Sequence, residues 1–174
     1  EPQSPYGVSK AAGYFLVKFY REKYKIFCCT GVLFNHESAL RSNEFVTKKI
    51  INTSNLIKKN KNIKLKLGNI NVYRDWGWAP EYVEAFWLML QKKKAEDLIL
   101  GSGKAHTIKE FVEEVFKLQN IDKKNLISNV KQFNRKLDIR GYKADIALTK
   151  KKLKWKPKMS FKKIIYKMVN DELY

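Results

Sequence analysis

The run Ile26-Phe27-Cys28-Cys29-Thr30-Gly31-Val32-Leu33-Phe34 is almost continuously β-prone and shows no polar/apolar alternation. A strand of that kind has no wet face and is expected inside a parallel sheet that is covered on both sides. Directly before it, Ser4 stands as an N-cap and Pro5 at a first helical position. Ala11, Ala12, Phe15, Leu16 and Phe19 then recur at helical spacing as far as about Tyr24. Helix leading into buried strand is a piece of a βαβ unit, so an α/β fold is expected.

The alternation continues along the chain. A polar loop at Asn35-His36-Glu37-Ser38 precedes a helix from about Glu44 to Lys59, and Ile63-Lys64-Leu65-Lys66-Leu67 alternates as a half-exposed strand should. After Arg74-Asp75-Trp76-Gly77-Trp78 a helix opens near Pro80. Its apolar side chains, Tyr82, Val83, Phe86, Leu88, Met89 and Leu90, span so broad a face that burial is expected. Leu98-Ile99-Leu100 reads as a short strand closing at the turn Gly101-Ser102-Gly103. Thr107 and Glu110 form a capping box for a helix with the face Phe111, Val115 and Leu118. A helix from Asp145 to Leu153, a break at Trp155-Lys156-Pro157 and a Ser-capped helix from Ser160 to about Leu173 complete the order. A Gly-x-Gly-x-x-Gly turn, the usual pyrophosphate cradle of a dinucleotide-binding sheet, does not occur.

Composition narrows the function classes. With 44% hydrophobic and 13% aromatic residues in 174, the chain can bury a core as a single domain and is not expected to be disordered. Its 36 Lys+Arg against 17 Asp+Glu give a net charge of +19, but only five of the cations are arginine, the residue that forks onto phosphate and guanine. The lysines gather in short runs such as Lys92-Lys93-Lys94 and Lys150-Lys151-Lys152 at the ends of helix-like segments, without interleaved aromatics. No nucleic-acid partner is therefore expected, and a basic nucleic-acid-binding module stays as the alternative of a different class. No apolar stretch approaches the roughly 18 residues of a membrane span, and the first residues lack the pattern of a signal peptide, so a cytoplasmic chain without membrane contact is expected. Cys28 and Cys29 are adjacent and point to opposite faces, which favours buried thiols over a disulfide. His36 and His106 are far apart, and no metal site is expected.

Tyr6 and Lys10 stand four apart on the first helix, so an ammonium can lie beside a phenol and favour its ionised form, a pairing suited to moving a proton to or from a hydroxyl. Tyr14 and Lys18 repeat the spacing, which alone does not choose between the two pairs.

The segment Ser4-Pro5-Tyr6-Gly7-Val8-Ser9-Lys10 resembles the active-site segment of the extended short-chain dehydrogenase/reductases. Leu33-Phe34-Asn35-His36-Glu37-Ser38, Arg41 and Glu44-Phe45-Val46-Thr47-Lys48-Lys49 resemble one branch of the nucleotide-sugar epimerases and dehydratases, the GDP-mannose 4,6-dehydratases. So do Gly68-Asn69, the stretch from Arg74 to Ala85 and Leu153-Lys154-Trp155-Lys156-Pro157. The resemblance implies the C-terminal part of a Rossmann-like doubly wound parallel sheet plus a smaller α/β substrate-binding lobe. The two lobes interleave over residues 1–174, and the glycine-rich N-terminal half is not included. By itself such a piece is expected to be inactive.

The resemblance also implies roles. Tyr6 would be the acid/base at the sugar 4-hydroxyl while NADP takes the C4 hydride, and Lys10 would tune Tyr6 and hold the nicotinamide ribose. His36 and Arg41 match cofactor contacts, and Asn35, Val46, Lys49 and Arg74 match positions around GDP-mannose. Arg135 and Asp138 fall on a nucleotide-gripping Arg-Pro-x-Glu segment, here Arg135-Lys136-Leu137-Asp138. Water would leave from C6 and the hydride return there, giving GDP-4-keto-6-deoxymannose. The family's C5 base has no counterpart in this chain, and the full-length form is expected to be a homo-oligomer. A neighbouring nucleotide-sugar epimerase or dehydratase is the alternative. From the residues alone, Lys48 and Lys49 read equally as a solvated helix face, and Arg74-Asp75 as a structural ion pair.

Overall fold

The computed structural model describes residues 2–133 and 141–173. Helix α1 (Pro5–Tyr24) opens as its sequence dictates. The Ser4 hydroxyl accepts from the Gly7 amide at 3.0 Å, Pro5 occupies the first turn, and Lys25 closes the helix in a left-handed conformation. Strands β1 (Gly31–Leu33) and β2 (Asn35–Glu37) are two halves of one extended segment, followed by α2 (Val46–Lys59), β3 (Leu65–Lys66) and β4 (Tyr73–Trp78). Next come α3 (Ala79–Leu90), β5 (Leu98–Leu100), β6 (Ala105–Thr107), α4 (Ile108–Gln119), β7 (Leu126–Ile127), α5 (Ala147–Leu153) and α6 (Phe161–Val169).

The extended segment from Gly31 to Glu37 divides between two sheets. Its first half pairs in parallel with β5, Gly31 opposite Leu98, and its second half pairs in parallel with β4, Asn35 opposite Trp76. Strand β6 adds antiparallel to β4, and β3 pairs with β7 in a separate parallel ribbon. Two cores follow from this division. Ile50, Ile51, Leu65, Trp76, Trp78, Phe111, Val115, Ile164 and Ile165 join α2, α4 and α6 to β3 and β4; Tyr82, Ala85, Met89, Leu98, Leu100, Leu153 and Trp155 join α3, α5 and β5. Each fully buried side chain of this size stabilises the fold by about 1.5–3 kcal/mol.

Four expectations need correction. The strand within Ile26–Phe34 is short, and Ile26, Phe27, Val32 and Leu33 are exposed, because among the described residues only β5 pairs with β1. Asn35-His36-Glu37 is a strand rather than a loop, since β4 offers it a complete hydrogen-bonding edge. On α3 only Tyr82, Ala85 and Met89 are buried, one stripe facing the second core, while Val83 (65%) and Trp87 (61%) stand in solvent. On α4 the Thr107–Glu110 capping box is present and Phe111 and Val115 are buried, but Leu118 is exposed. Helices α2 and α5 lie where periodicity places them, each starting two residues later than expected, and α6 ends at Val169, about a turn before Leu173. Strand β6 has too few residues to carry a sequence signal.

Cys28 and Cys29 are free and half-buried; the Cys28 thiol donates to the Val17 carbonyl, and burial pushes the Cys29 thiol upward. No described helix is long and apolar enough to cross a membrane. Among the described residues no group of His, Cys, Asp and Glu side chains could hold a metal ion.

Helix α1 buries no residue fully, so its attachment is polar. Arg21 forks onto Asp97 at 2.7 and 2.6 Å, and the same carboxylate accepts from the Thr30 amide at 2.7 Å. The Arg21 guanidinium, reinforced by the Thr30 amide, holds Asp97 below the usual carboxylate range. A depressed carboxylate contributes its stability above the unfolded value, near 3.9, and loses it as pH falls through the lower folded value. Asp97→Asn is therefore expected to cost about 1.5–3 kcal/mol at pH 7. In urea melts the gap between Asp97→Asn and wild type should narrow as pH falls below the unfolded carboxylate range.

Candidate active site

Strand alternation organises the site. On β2 the side chains of Asn35 and Glu37 share one face and His36 takes the other; on β4 Arg74 and Trp76 share a face and Asp75 and Gly77 take the other. Register joins the like faces, Asn35 against Trp76 and His36 against Gly77. On the first face lies a cavity of about 430 Å³. Asn35, Glu37, Arg74 and Trp76 line it from the sheet, and Phe45, Val46, Thr47 and Lys49 from the start of α2. Glu44, Leu67, Gly68, Asn69, Val72, Ile108 and Phe133 complete the wall.

The structure thus gathers Asn35, Val46, Lys49 and Arg74, four residues drawn from three separate stretches of sequence, into one pocket. Lys49 Nζ lies 3.9 Å from the Phe133 ring centroid, and Arg74 donates to the Tyr73 carbonyl at 2.8 Å. Lys48, one residue from Lys49, is used structurally: it donates to the Ala39 carbonyl at 2.8 Å and pairs with Asp171 at 3.2 Å. Asp75 pairs with backbone, accepting from the amides of Ser102, Gly103 and Ala144 at 2.7, 2.9 and 3.1 Å. Arg135 and Asp138 lie outside the described residues.

The residues assigned to a cofactor lie elsewhere. His36 faces away from the cavity, its ring 5.5 Å from that of Tyr82. Its Nδ1 lies 3.0 Å from the Phe34 carbonyl, which can only accept, so Nδ1 carries the proton and Nε2 is an acceptor. Arg41 is committed to the buried Glu37 through Nε and Nη2 at 2.8 and 3.1 Å, with a further bond from Nη2 to the His36 carbonyl, while Nη1 takes no part in these bonds. Tyr6 is exposed on the first turn of α1, outside the cavity lining, with Lys10 Nζ 5.3 Å from its ring centroid. Lys10, His36 and Arg41 offer a cation, an acceptor and a guanidinium edge, a set that suits the hydroxyls and phosphates of a nicotinamide dinucleotide.

Sequence reasoning missed Glu37, Thr47, Asn69 and Phe133. The Glu37–Arg41 spacing of four was the available signal for the first; nothing local marks the others.

The GDP-mannose 4,6 dehydratase family profile matches residues 1–168. The chain belongs to the GDP-mannose 4,6-dehydratase family. GDP-mannose 4,6 dehydratase 1 of Arabidopsis thaliana is 41% identical over 172 residues, covering 99% of this chain and 48% of that protein. GDP-mannose 4,6 dehydratase of Homo sapiens is 35% identical over 190 residues, covering 99% of this chain and 51% of its own. The chain spans about half the length of the curated relatives it matches. Among solved structures, dTDP-glucose 4,6-dehydratase from Bacillus anthracis in complex with NAD superposes with a TM-score of 0.86 at 22% identity, over 98% of this chain and 52% of that one. RMD from Pseudomonas aeruginosa complexed with NADPH gives 0.87 at 20% identity, over 99% and 56%. At these identities the superpositions establish the shared α/β fold.

Within this dehydratase-family fold, Gly77 is fixed by close approach: a Cβ there would lie 2.4 Å from the Tyr82 hydroxyl. That hydroxyl is buried, has no hydrogen-bond partner among the described residues, and is held protonated by desolvation and by the charges of Asp75 and Glu81. Gly77→Ala is expected to displace Tyr82 and cost about 1–3 kcal/mol, readable as a lowered urea midpoint with an unchanged slope.

Proposed function

We propose that this chain serves the dehydration of GDP-mannose to GDP-4-keto-6-deoxymannose, a lyase reaction with NADP as hydride carrier. The gathering of Asn35, Val46, Lys49 and Arg74 around one cavity is the observation that carries this reading. Its volume falls in the range of small-molecule sites, which are mostly apolar with a few placed polar groups. Lys49 and Arg74 supply the positive charge that a diphosphate needs. Asn35 and Asn69 supply amide hydrogen bonds for sugar hydroxyls, and Val72, Ile108 and Phe133 supply an apolar wall for a base.

Tyr6 is the acid/base for the sugar 4-hydroxyl. Lys10, four residues on, lies beside it with Nζ 5.3 Å from the phenol ring centroid, so a cation accompanies the hydroxyl on one face of α1. Bound NADP would supply hydride acceptance at C4 and hydride return at C6, so the reaction would carry no net redox change. Lys10, His36 and Arg41 would hold the dinucleotide, Lys10 at the nicotinamide ribose. Arg135 and Asp138 would be the further contacts to the nucleotide. The setting we infer is the cytoplasm, with no described helix suited to crossing a membrane, in a homo-oligomer to which the outward Phe15, Leu16 and Phe19 of α1 contribute.

Calorimetric titration with GDP-mannose tests the pocket. Lys49→Ala and Arg74→Ala are each expected to weaken binding about 10- to 100-fold, the loss of one charge-assisted hydrogen bond. Equal affinity in both variants would remove the diphosphate assignment. In a full-length enzyme carrying this chain, Tyr6→Phe is expected to lower kcat by about 10²- to 10⁴-fold with GDP-mannose affinity unchanged. Retained turnover would remove Tyr6 from the chemistry.

A further inference from the structure

Glu37 stands out among the charged groups because the reaction does not use it and yet it is 2% exposed. A carboxylate buried to that extent is costly unless every lone pair is answered. Oε2 accepts from Arg41 Nε at 2.8 Å and from the Thr47 hydroxyl at 2.9 Å, and Oε1 accepts from Arg41 Nη2 at 3.1 Å. Three donors from two directions converge on one side chain, and the two directions lead to different ligands. Arg41 belongs to the group assigned to the dinucleotide, whereas Thr47 is the second residue of α2 and lines the cavity between Val46 and Lys49.

We propose that Glu37 is a positioning residue that holds Arg41 for the dinucleotide with one set of bonds and Thr47 for the sugar nucleotide with another, so that one buried carboxylate fixes both binding sites. The proposal rests on the reading of the cavity as a GDP-mannose site and of Arg41 as a dinucleotide contact. Because the Thr47 proton is spent on Glu37, the Thr47 oxygen is left with lone pairs alone and meets a ligand hydroxyl as an acceptor. Because Arg41 is held through Nε and Nη2, Nη1 is aimed rather than free to rotate, and the Arg41 guanidinium, 4.4 Å from the Phe45 ring centroid, is braced from a further side. The start of α2 gains from the same bonds, since Phe45 at its N-cap position offers no side-chain hydrogen bond to the helix.

The two sets of bonds differ in kind, which makes them separable. The Thr47 bond is a hydroxyl donating to an oxygen, and a glutamine carbonyl can accept it; the Arg41 grip is ionic and bidentate, and a neutral amide cannot reproduce it. Calorimetry and NADPH fluorescence titrations on a full-length enzyme carrying this chain, with GDP-mannose and NADPH as the probes, give the test. Glu37→Gln is expected to weaken NADPH about 10-fold, one charge-assisted hydrogen bond, while GDP-mannose affinity stays within about 2-fold. Thr47→Val is expected to do the reverse, and Glu37→Ala to weaken both ligands. Lys152→Ala, which removes the ion pair with Glu96 at 2.6 Å, outside the cavity lining and made by no residue of α1, is expected to move neither affinity. That control separates positioning from general loosening.

Wild-type binding of both ligands with Glu37→Gln and Thr47→Val each losing both affinities in parallel, or neither, overturns the proposal and leaves the pocket reading intact. Failure of the wild-type chain to bind either ligand overturns the pocket reading, and the proposal with it. Should Glu37→Ala fail to fold, the opposed losses in Glu37→Gln and Thr47→Val still decide.

Discussion

The carboxylate of Asp75 is the point through which the fold is tied. It is fully buried in the middle of β4 and takes its hydrogen bonds from three backbone amides, those of Ser102 and Gly103 after β5 and of Ala144 before α5. A charge in that position is tolerable because oriented N–H dipoles surround it, and each amide would itself cost about 1–3 kcal/mol if left unpaired. The bonds also fix geometry. They pull the β5–β6 turn under β4, and Gly101 lies so close to Ala144 that an added Cβ would come within 2.3 Å of the alanine methyl. Strand β6 then pairs with β4, Arg74 opposite His106, and α4 departs from its end with the cavity residue Ile108 at its first position.

From that tie the division of labour across the sheet follows. With Asp75 pulled to one face of β4, pleating sends Arg74 and Trp76 to the other, and the parallel register transfers the same choice to β2. Asn35 and Glu37 look into the cavity; His36 looks toward Tyr82 and Gly77. In the function proposed, a sugar nucleotide and a dinucleotide would be met from opposite faces of the same short strand. A slip of one residue in the β2–β4 pairing would exchange the two faces, which is why the close contact of Gly77 with Tyr82 matters: any side chain brought to that position has to displace the Tyr82 ring.

Much of this was legible in the residues. Among the described residues, capping chemistry and apolar periodicity located the six α-helices, because the Ser4, Thr107 and Ser160 caps act within four residues and need no knowledge of the tertiary fold. The specific strings around Asn35, Lys49 and Arg74 brought out four residues that the fold then places side by side. What failed depends on pairing at a distance. Asn35-His36-Glu37 looks like a loop by composition and is a strand only because β4 lies alongside; Val83 and Trp87 look like core and are exposed because α3 presents one stripe to the second core. Asp75 beside Arg74 suggested an ion pair, yet neighbours in a strand point to opposite faces, and its partners stand more than twenty residues away.

The charge of the chain teaches a related lesson about scale. A net +19 draws attention to the lysine runs, but Lys58 and Lys59 end α2 and Lys150, Lys151 and Lys152 end α5, where cations meet the negative end of the helix dipole and bulk water screens them. The two cations of the cavity lining are single residues, Lys49 and Arg74, set among Val46, Val72, Ile108 and Phe133. Inside such a wall the effective dielectric is several-fold below that of water, and a charge interaction worth about 1 kcal/mol in solvent grows in proportion. Glu37 and Glu44 share the lining, so the cavity is a mixed field rather than a positive sink. That balance favours an anion which also presents hydroxyl donors and an apolar ring over a bare polyanion, and it is position within the fold, not the total of lysines, that decides which anion the chain can hold.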